Sequence, residues 1–229
     1  MALFTSPIVA GASGSIGGAV YSRNRFGQYI RTRAVPVNPS TSFQQVVRNA
    51  LTQLVTRWTE TLTQAQRDAW DVYGVNVPVV NKVGNSVNLT GQNWYIGNNT
   101  PRLQAGMIIV DAAPTIFDRG TFDPPLITID ATADEIDVAF DNTFAPYNET
   151  DAALLVYVGR PVNPSVNFFK GPYRFAGAIL GNTVTPPSSP ATFPLPFPVA
   201  AGNKVGVRVK AVRADGRAST DFPLSAIAV

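Results

Sequence analysis

The sequence predicts a mainly β protein with a small α part: an extended N-terminal arm, a helical hairpin and a C-terminal antiparallel β-sandwich. Three observations carry this reading. Gly 18 and Pro 19 together make 37 of 229 residues that interrupt regular structure, too many for a helical bundle. Seven short runs after residue 120 are rich in β-formers and separated by Pro, Gly and Asn clusters. Apolar residues return at helical spacing from Ser42, and a helix start signal follows at Thr63. A chain of this length can bury roughly 70% of its unfolded surface, so a real core is available.

Residues 1–39 form the expected extended, Gly- and Arg-rich arm, ending in Val35-Pro36-Val37-Asn38-Pro39, where each residue before a proline is pushed toward extended geometry. Arg23 and Arg25, then Arg31 and Arg33, are spaced two apart, so each pair shares one side of an extended chain and could clamp carboxylates or phosphates. With Phe26 and Tyr29 interleaved, these six residues are the candidate partner-binding set. The run Ile8-Val9-Ala10-Gly11-Ala12-Ser13-Gly14-Ser15-Ile16-Gly17-Gly18 looks like the phosphate-binding turn of short-chain dehydrogenases. Its context is wrong for that chemistry. Pro7 falls where a central strand should run, no apolar helical stripe follows Gly18, and neither a ribose-binding acid near position 30 nor a Tyr-x-x-x-Lys pair is present. The run reads as a Gly/Ser stretch that lets backbone lie close to a neighbour.

Residues 40–120 hold the hairpin and an Asn/Gly-rich connection. A helix from Ser42 carries Phe43, Val47, Leu51, Leu54 and Trp58 as its apolar stripe. A second begins at Thr63, where Thr63-Gln64-Ala65-Gln66 has capping-box spacing, turns Ala69, Trp70 and Tyr73 inward, and is expected to stop at Gly74. Trp58, Trp70 and Tyr73 are expected to make the hairpin's core. A short helix near residues 90–98 carries Trp94, Tyr95 and Ile96.

Residues 121–229 are expected to hold strands at 126–130, 135–140, 152–160, 173–180, 192–195, 204–214 and 219–229. Val205, Val207, Val209 and Ala211 alternate with Gly206, Arg208, Lys210 and Val212, which makes one face dry and the other basic, and Asp215-Gly216 supplies a turn.

Charge and missing residue types limit the chemistry. With no histidine and no cysteine, disulfides, thiolate zinc sites and a His-assisted nucleophile are all excluded. Residues 1–59 hold six arginines and no acid, residues 121–150 seven acids and no base, and residues 151–229 eight bases against three acids. Such alternation suits head-to-tail contact between copies. Asp134, Glu135 and Asp137 could offer oxygen ligands to calcium, but on a turn and strand start they read as solvated acids. No enzyme activity, cofactor or metal is expected. With neither a signal peptide nor a long apolar span, no membrane role is expected either.

Two resemblances complete the reading. The C-terminal half resembles a fibronectin type III or immunoglobulin-like module through Ile136-Asp137-Val138-Ala139-Phe140 and Val207-Arg208-Val209-Lys210-Ala211-Val212-Arg213-Ala214-Asp215-Gly216-Arg217-Ala218-Ser219. Gly14-Ser15-Ile16-Gly17-Gly18, Ser22-Arg23-Asn24-Arg25-Phe26-Gly27-Gln28-Tyr29, Pro36-Val37-Asn38-Pro39 and Leu62-Thr63-Gln64-Ala65-Gln66-Arg67-Asp68-Ala69-Trp70 resemble a run in uncharacterised proteins of tailed bacteriophages and prophages, over about residues 11–110. That likeness implies a virion protein assembled in the host cytoplasm. The expected role is capsid decoration or cement, with the arm gripping adjacent subunits, and the expected partners are major capsid or neck and tail subunits and other copies of the chain. A neck or tail position is an alternative. So is host adhesion, with a glycan held near Phe168-Phe169-Lys170-Gly171-Pro172-Tyr173 and Phe193-Pro194-Leu195-Pro196-Phe197-Pro198. Nucleic acid is not the expected partner, because acidic protein surfaces satisfy the same arginines.

Overall fold

The computed structural model describes residues 11–229 and the backbone of Ala2–Leu3. The protein is mainly β with three helices among the described residues, and the chain divides into two compact units, Met1–Trp94 and Tyr95–Val229.

The first unit opens with β1 (Ala2–Leu3), β2 (Gly14–Ile16), β3 (Ala19–Asn24) and β4 (Gly27–Thr32), paired antiparallel in the order β1-β4-β3-β2. Over residues 14–32, therefore, the chain is not the single extended arm expected from composition. Gly17, at φ +56°, closes β2 onto β3 with Ile16 opposite Ala19. Asn24 Oδ1 accepts the Phe26 N–H at 2.9 Å and shapes the next turn, so neighbouring strands satisfy backbone groups that a lone arm would leave to water or to a partner. Residues 33–41 carry no regular structure and are exposed. Pro7 and Ile8–Ala10, the start of the glycine-rich run, lie outside the described residues.

Helix α1 (Ser42–Glu60) starts at Thr41, whose hydroxyl accepts the Gln44 N–H. Helix α2 (Gln64–Asn76) starts at Thr63 with the capping box complete, Thr63 N–H donating to Gln66 Oε1 at 2.9 Å. It passes through Gly74, where a stop was expected. The reason is packing: a Cβ on Gly74 would stand 2.6 Å from the Leu89 carbonyl oxygen, so this glycine serves close approach rather than termination. The short pair β5 (Val79–Val80) and β6 (Ser86–Val87) leads to α3 (Gly91–Gln104). Trp70 meets Tyr73 edge-on at 5.7 Å and Tyr73 meets Trp94 at 5.4 Å, with Leu54 and Leu62 buried in the same unit.

Helix α3 runs six residues beyond the expected end and includes Pro101. The Thr100 hydroxyl donates to the Ile96 carbonyl at 2.6 Å beside the proline, and the helix continues.

The second unit holds two antiparallel sheets. β11 (Ala191–Pro194), β8 (Glu135–Ala139) and β7 (Leu126–Asp130) form one; β10 (Tyr173–Leu180), β9 (Ala153–Gly159), β12 (Lys204–Val212) and β13 (Phe222–Ile227) form the other, each in that order. Ile129, Ile136 and Val138 from the first sheet share one core with Leu154, Val156, Val158, Ile179, Val205, Val207 and Val209 from the second. The opposite face of the four-stranded sheet is not simply basic. At one end Ala153, Leu155, Val212 and Ala218 form a second apolar cluster, covered by Ala105 and Met107 just past α3. Strand β13 begins at Phe222 rather than at 219, because Ala218 is bridged to Val212 and the Ser219 hydroxyl bonds the Ala211 N–H at 2.9 Å.

Candidate functional site

The six residues singled out by sequence, Arg23, Arg25, Phe26, Tyr29, Arg31 and Arg33, lie in or beside the β3–β4 hairpin. Register decides their sides. Tyr29 stands opposite Ser22, Arg31 opposite Val20, and Arg23 opposite Gln28. Residues opposite one another share a face, so Tyr29 and Arg31 lie on one side of the sheet and Arg23 on the other with Tyr21 and Ile30. Arg33, whose N–H donates to the Gly18 carbonyl at 2.8 Å, follows Arg31 by two residues on its side. Arg25 sits in the turn and donates to the Asn88 carbonyl at 2.8 Å, while the Phe26 carbonyl accepts from Asn81 Nδ2 at 3.0 Å. The structure thus joins Arg31, Arg33 and Tyr29, separates Arg23 from them, and uses Arg25 and Phe26 to fix the hairpin tip. All four arginines are exposed, and among the described residues Arg23, Arg31 and Arg33 pair with no carboxylate.

The same unit presents an apolar row that periodicity alone assigns to a core. Val46 is 60% exposed, Val47 58% and Leu51 48%; of the expected stripe, only Leu54 is fully buried and Trp58 is half-buried. All three exposed positions lie in the first ten residues of α1 (Ser42–Glu60), ahead of Leu54 and Trp58.

In the second unit the aromatic segments suggested as a sugar platform are largely engaged. The Phe169 ring lies over Gly206 with Lys204 Nζ 5.7 Å from its centre. Phe197 is buried beneath Arg174 at 4.4 Å, and Tyr173 carries the Arg208 guanidinium at 4.2 Å. Phe168 projects, at 76% exposure. The acidic group is also engaged in structure: Asp134 Oδ1 accepts the Val199 N–H at 3.2 Å, and Asp137 Oδ1 accepts the Thr192 hydroxyl at 2.6 Å. Among the described residues no group of three His, Cys, Asp or Glu could hold a metal ion, and no helix is long and apolar enough to cross a membrane.

Sequence reasoning missed Arg102, which is 1% exposed. Its Nε donates to the Ile108 carbonyl at 2.9 Å, and its Nη1 to the carbonyls of Asp151 at 3.0 Å and Arg213 at 2.8 Å. Burial pushes this guanidinium below its ordinary value, opposed by Asp151, Asp215 and Glu149. The signal was an arginine in the last turn of a helix, where carbonyls gather. No protein-family model, no curated protein and no solved structure matches this sequence.

Proposed function

We propose that the chain is a structural component of a tailed-bacteriophage particle, acting as a decoration or cement protein that braces neighbouring capsid subunits. The observation that carries this is the combination, in one unit, of exposed Val46, Val47 and Leu51 on α1 with exposed Arg23, Arg31 and Arg33 on a sheet. Exposed apolar side chains, and cations that pair with no carboxylate among the described residues, both in one unit, suit an acidic, partly apolar protein neighbour. The N-terminal resemblance supplies the phage context. The C-terminal resemblance is supported by strand partition: the first, second and fifth strands of the second unit form one sheet, and the third, fourth, sixth and seventh form the other, as in a fibronectin type III module. The reading assigns no reaction and no cofactor.

The test is quantitative mass spectrometry of purified particles from the source lysate, comparing this chain with the major capsid protein. Hundreds of copies per particle support capsid decoration, whereas about six or twelve would move the chain to neck or tail symmetry. Its absence from particles would overturn the reading. A Val46→Asp, Val47→Asp double variant is expected to stay folded and to lose incorporation.

A further inference from the structure

A cleft of about 400 Å³ opens in the second unit, with Thr100, Pro101 and Gln104 of α3 on one side and Tyr157, Arg208 and Lys210 of the four-stranded sheet on the other. Two cations there share one carboxylate. Asp221 Oδ1 stands 3.7 Å from Lys210 Nζ and Oδ2 stands 3.8 Å from Arg208 Nη1, both beyond hydrogen-bond length. Burial lowers the Lys210 ammonium from its ordinary 10.5, and the Arg119 charge presses the same way against the pull of Asp221. An anion between the two cations would relieve that cost.

The helix side adds complementary polar groups. Pro101 has no N–H for the Gly97 carbonyl four residues before it, so a helix acceptor is left without its usual donor at the cleft wall. Gln104 Oε1 accepts the Tyr157 hydroxyl at 2.8 Å, which leaves the Gln104 amide nitrogen as a donor. The volume lies at the small end of the roughly 300–1,000 Å³ usual for ligand sites.

We infer that this cleft binds a small hydroxy-carboxylate, with its carboxylate between Lys210 and Arg208 and its hydroxyls against the Gly97 carbonyl and the Gln104 amide. Among the residues that line the cleft, Lys210 and Arg208 against Asp221 leave one net positive charge, and Asp221 disfavours a dianion such as phosphate. The inference stands independently of the virion reading.

The experiment titrates the full chain, by calorimetry and by amide chemical shifts, with galacturonate, galactose, acetate and inorganic phosphate. Galacturonate is expected to bind at least about tenfold more tightly than each of the others, and Lys210→Met to lose about tenfold of that affinity. Gly97→Leu is the fold-preserving control, since the position is exposed, helical and open, with no atom within 4 Å of an added Cβ. It is expected to block binding while leaving the melting temperature unchanged or higher. A galacturonate trimer against the monomer separates the two sources of this chemistry: a gain above about tenfold marks a residue within a polysaccharide, and no gain marks a free acid. Equal binding of galactose, tighter binding of phosphate, unaltered binding in Gly97→Leu, or no binding of any probe would overturn the inference.

Discussion

The ring of Phe193, on β11, occupies the place a side chain at Gly177, on β10, would need: a Cβ there would stand 2.2 Å from Phe193 Cδ1. The two residues belong to different sheets, and the contact falls where the β10–β9 register shifts between Phe175 and Gly177. Gly177→Ala should therefore lower stability by about 1–3 kcal/mol through overpacking. The Gly177→Ala, Phe193→Leu double variant should recover part of that loss. Chemical denaturation of the three chains checks the coupling, and additive losses would mean that the ring moves aside freely.

Arg102 holds the carbonyls of Ile108, Asp151 and Arg213 together. Arg102→Leu keeps the bulk but takes the guanidinium donor from the Ile108 and Asp151 carbonyls, while the Arg213 carbonyl keeps the Gly216 N–H at 3.1 Å, at a cost of about 2 kcal/mol. Thermal melting measures it. A variant as stable as the parent would show that water replaces the guanidinium without loss.

Tyr147 stacks on Phe140 at 4.1 Å, is 1% exposed, and has a buried hydroxyl with no hydrogen-bond partner among the described residues. Burial, with a smaller push from Asp123, raises its phenol above the ordinary value of 10.0. Tyr147→Phe removes a polar group that gains nothing from its place, so it should leave stability unchanged or raise it by up to about 1 kcal/mol. A clear loss by thermal melting would reveal a partner for that hydroxyl.

Asp118 is held below its ordinary carboxyl value of 3.8 chiefly by the Gly120 N–H at 2.6 Å, with desolvation opposing and the Arg217 hydrogen bond and the Arg217 and Arg213 charges adding to the pull. A depressed folded-state value contributes stability that is present above pH 3.8 and is lost as pH falls through the lower, folded value. Arg217→Gln should raise the Asp118 midpoint while the Gly120 bond keeps it below 3.8, and acid unfolding should begin at higher pH. Carbon-detected titration of the carboxyl reads the shift; an unmoved midpoint would remove Arg217 from the account.

The elements legible in sequence were those whose causes are local. The Thr63–Gln66 capping box lies within four residues, and the alternation of Val205, Val207 and Val209 is a property of one strand. What sequence hid depends on distant neighbours. Gly74 reads as a helix stop until the Leu89 carbonyl is placed against it. The stripe of α1 reads as core by periodicity, yet in the fold only Leu54 on it is fully buried. The arginine set is half legible: spacing pairs Arg31 with Arg33, but only the hairpin register shows Arg23 on the opposite side of the sheet from them.

The order of the strands also fixes a timetable for synthesis. The first unit closes on itself by Trp94, with its hairpins and α1–α2 made from near neighbours in sequence. In the second unit β9 finishes at Gly159 but waits for β12, which starts at Lys204, as its partner. At roughly 5–20 residues per second on the ribosome, the first unit is made about 6 to 24 seconds before β12 is complete. During that interval the exposed apolar side chains of α1 face solvent on a nascent chain whose second-unit sheet cannot yet exist. Pairing over such sequence distances is slow to nucleate, so the late sheet sets the pace of maturation and the early unit is the first that a neighbour can capture.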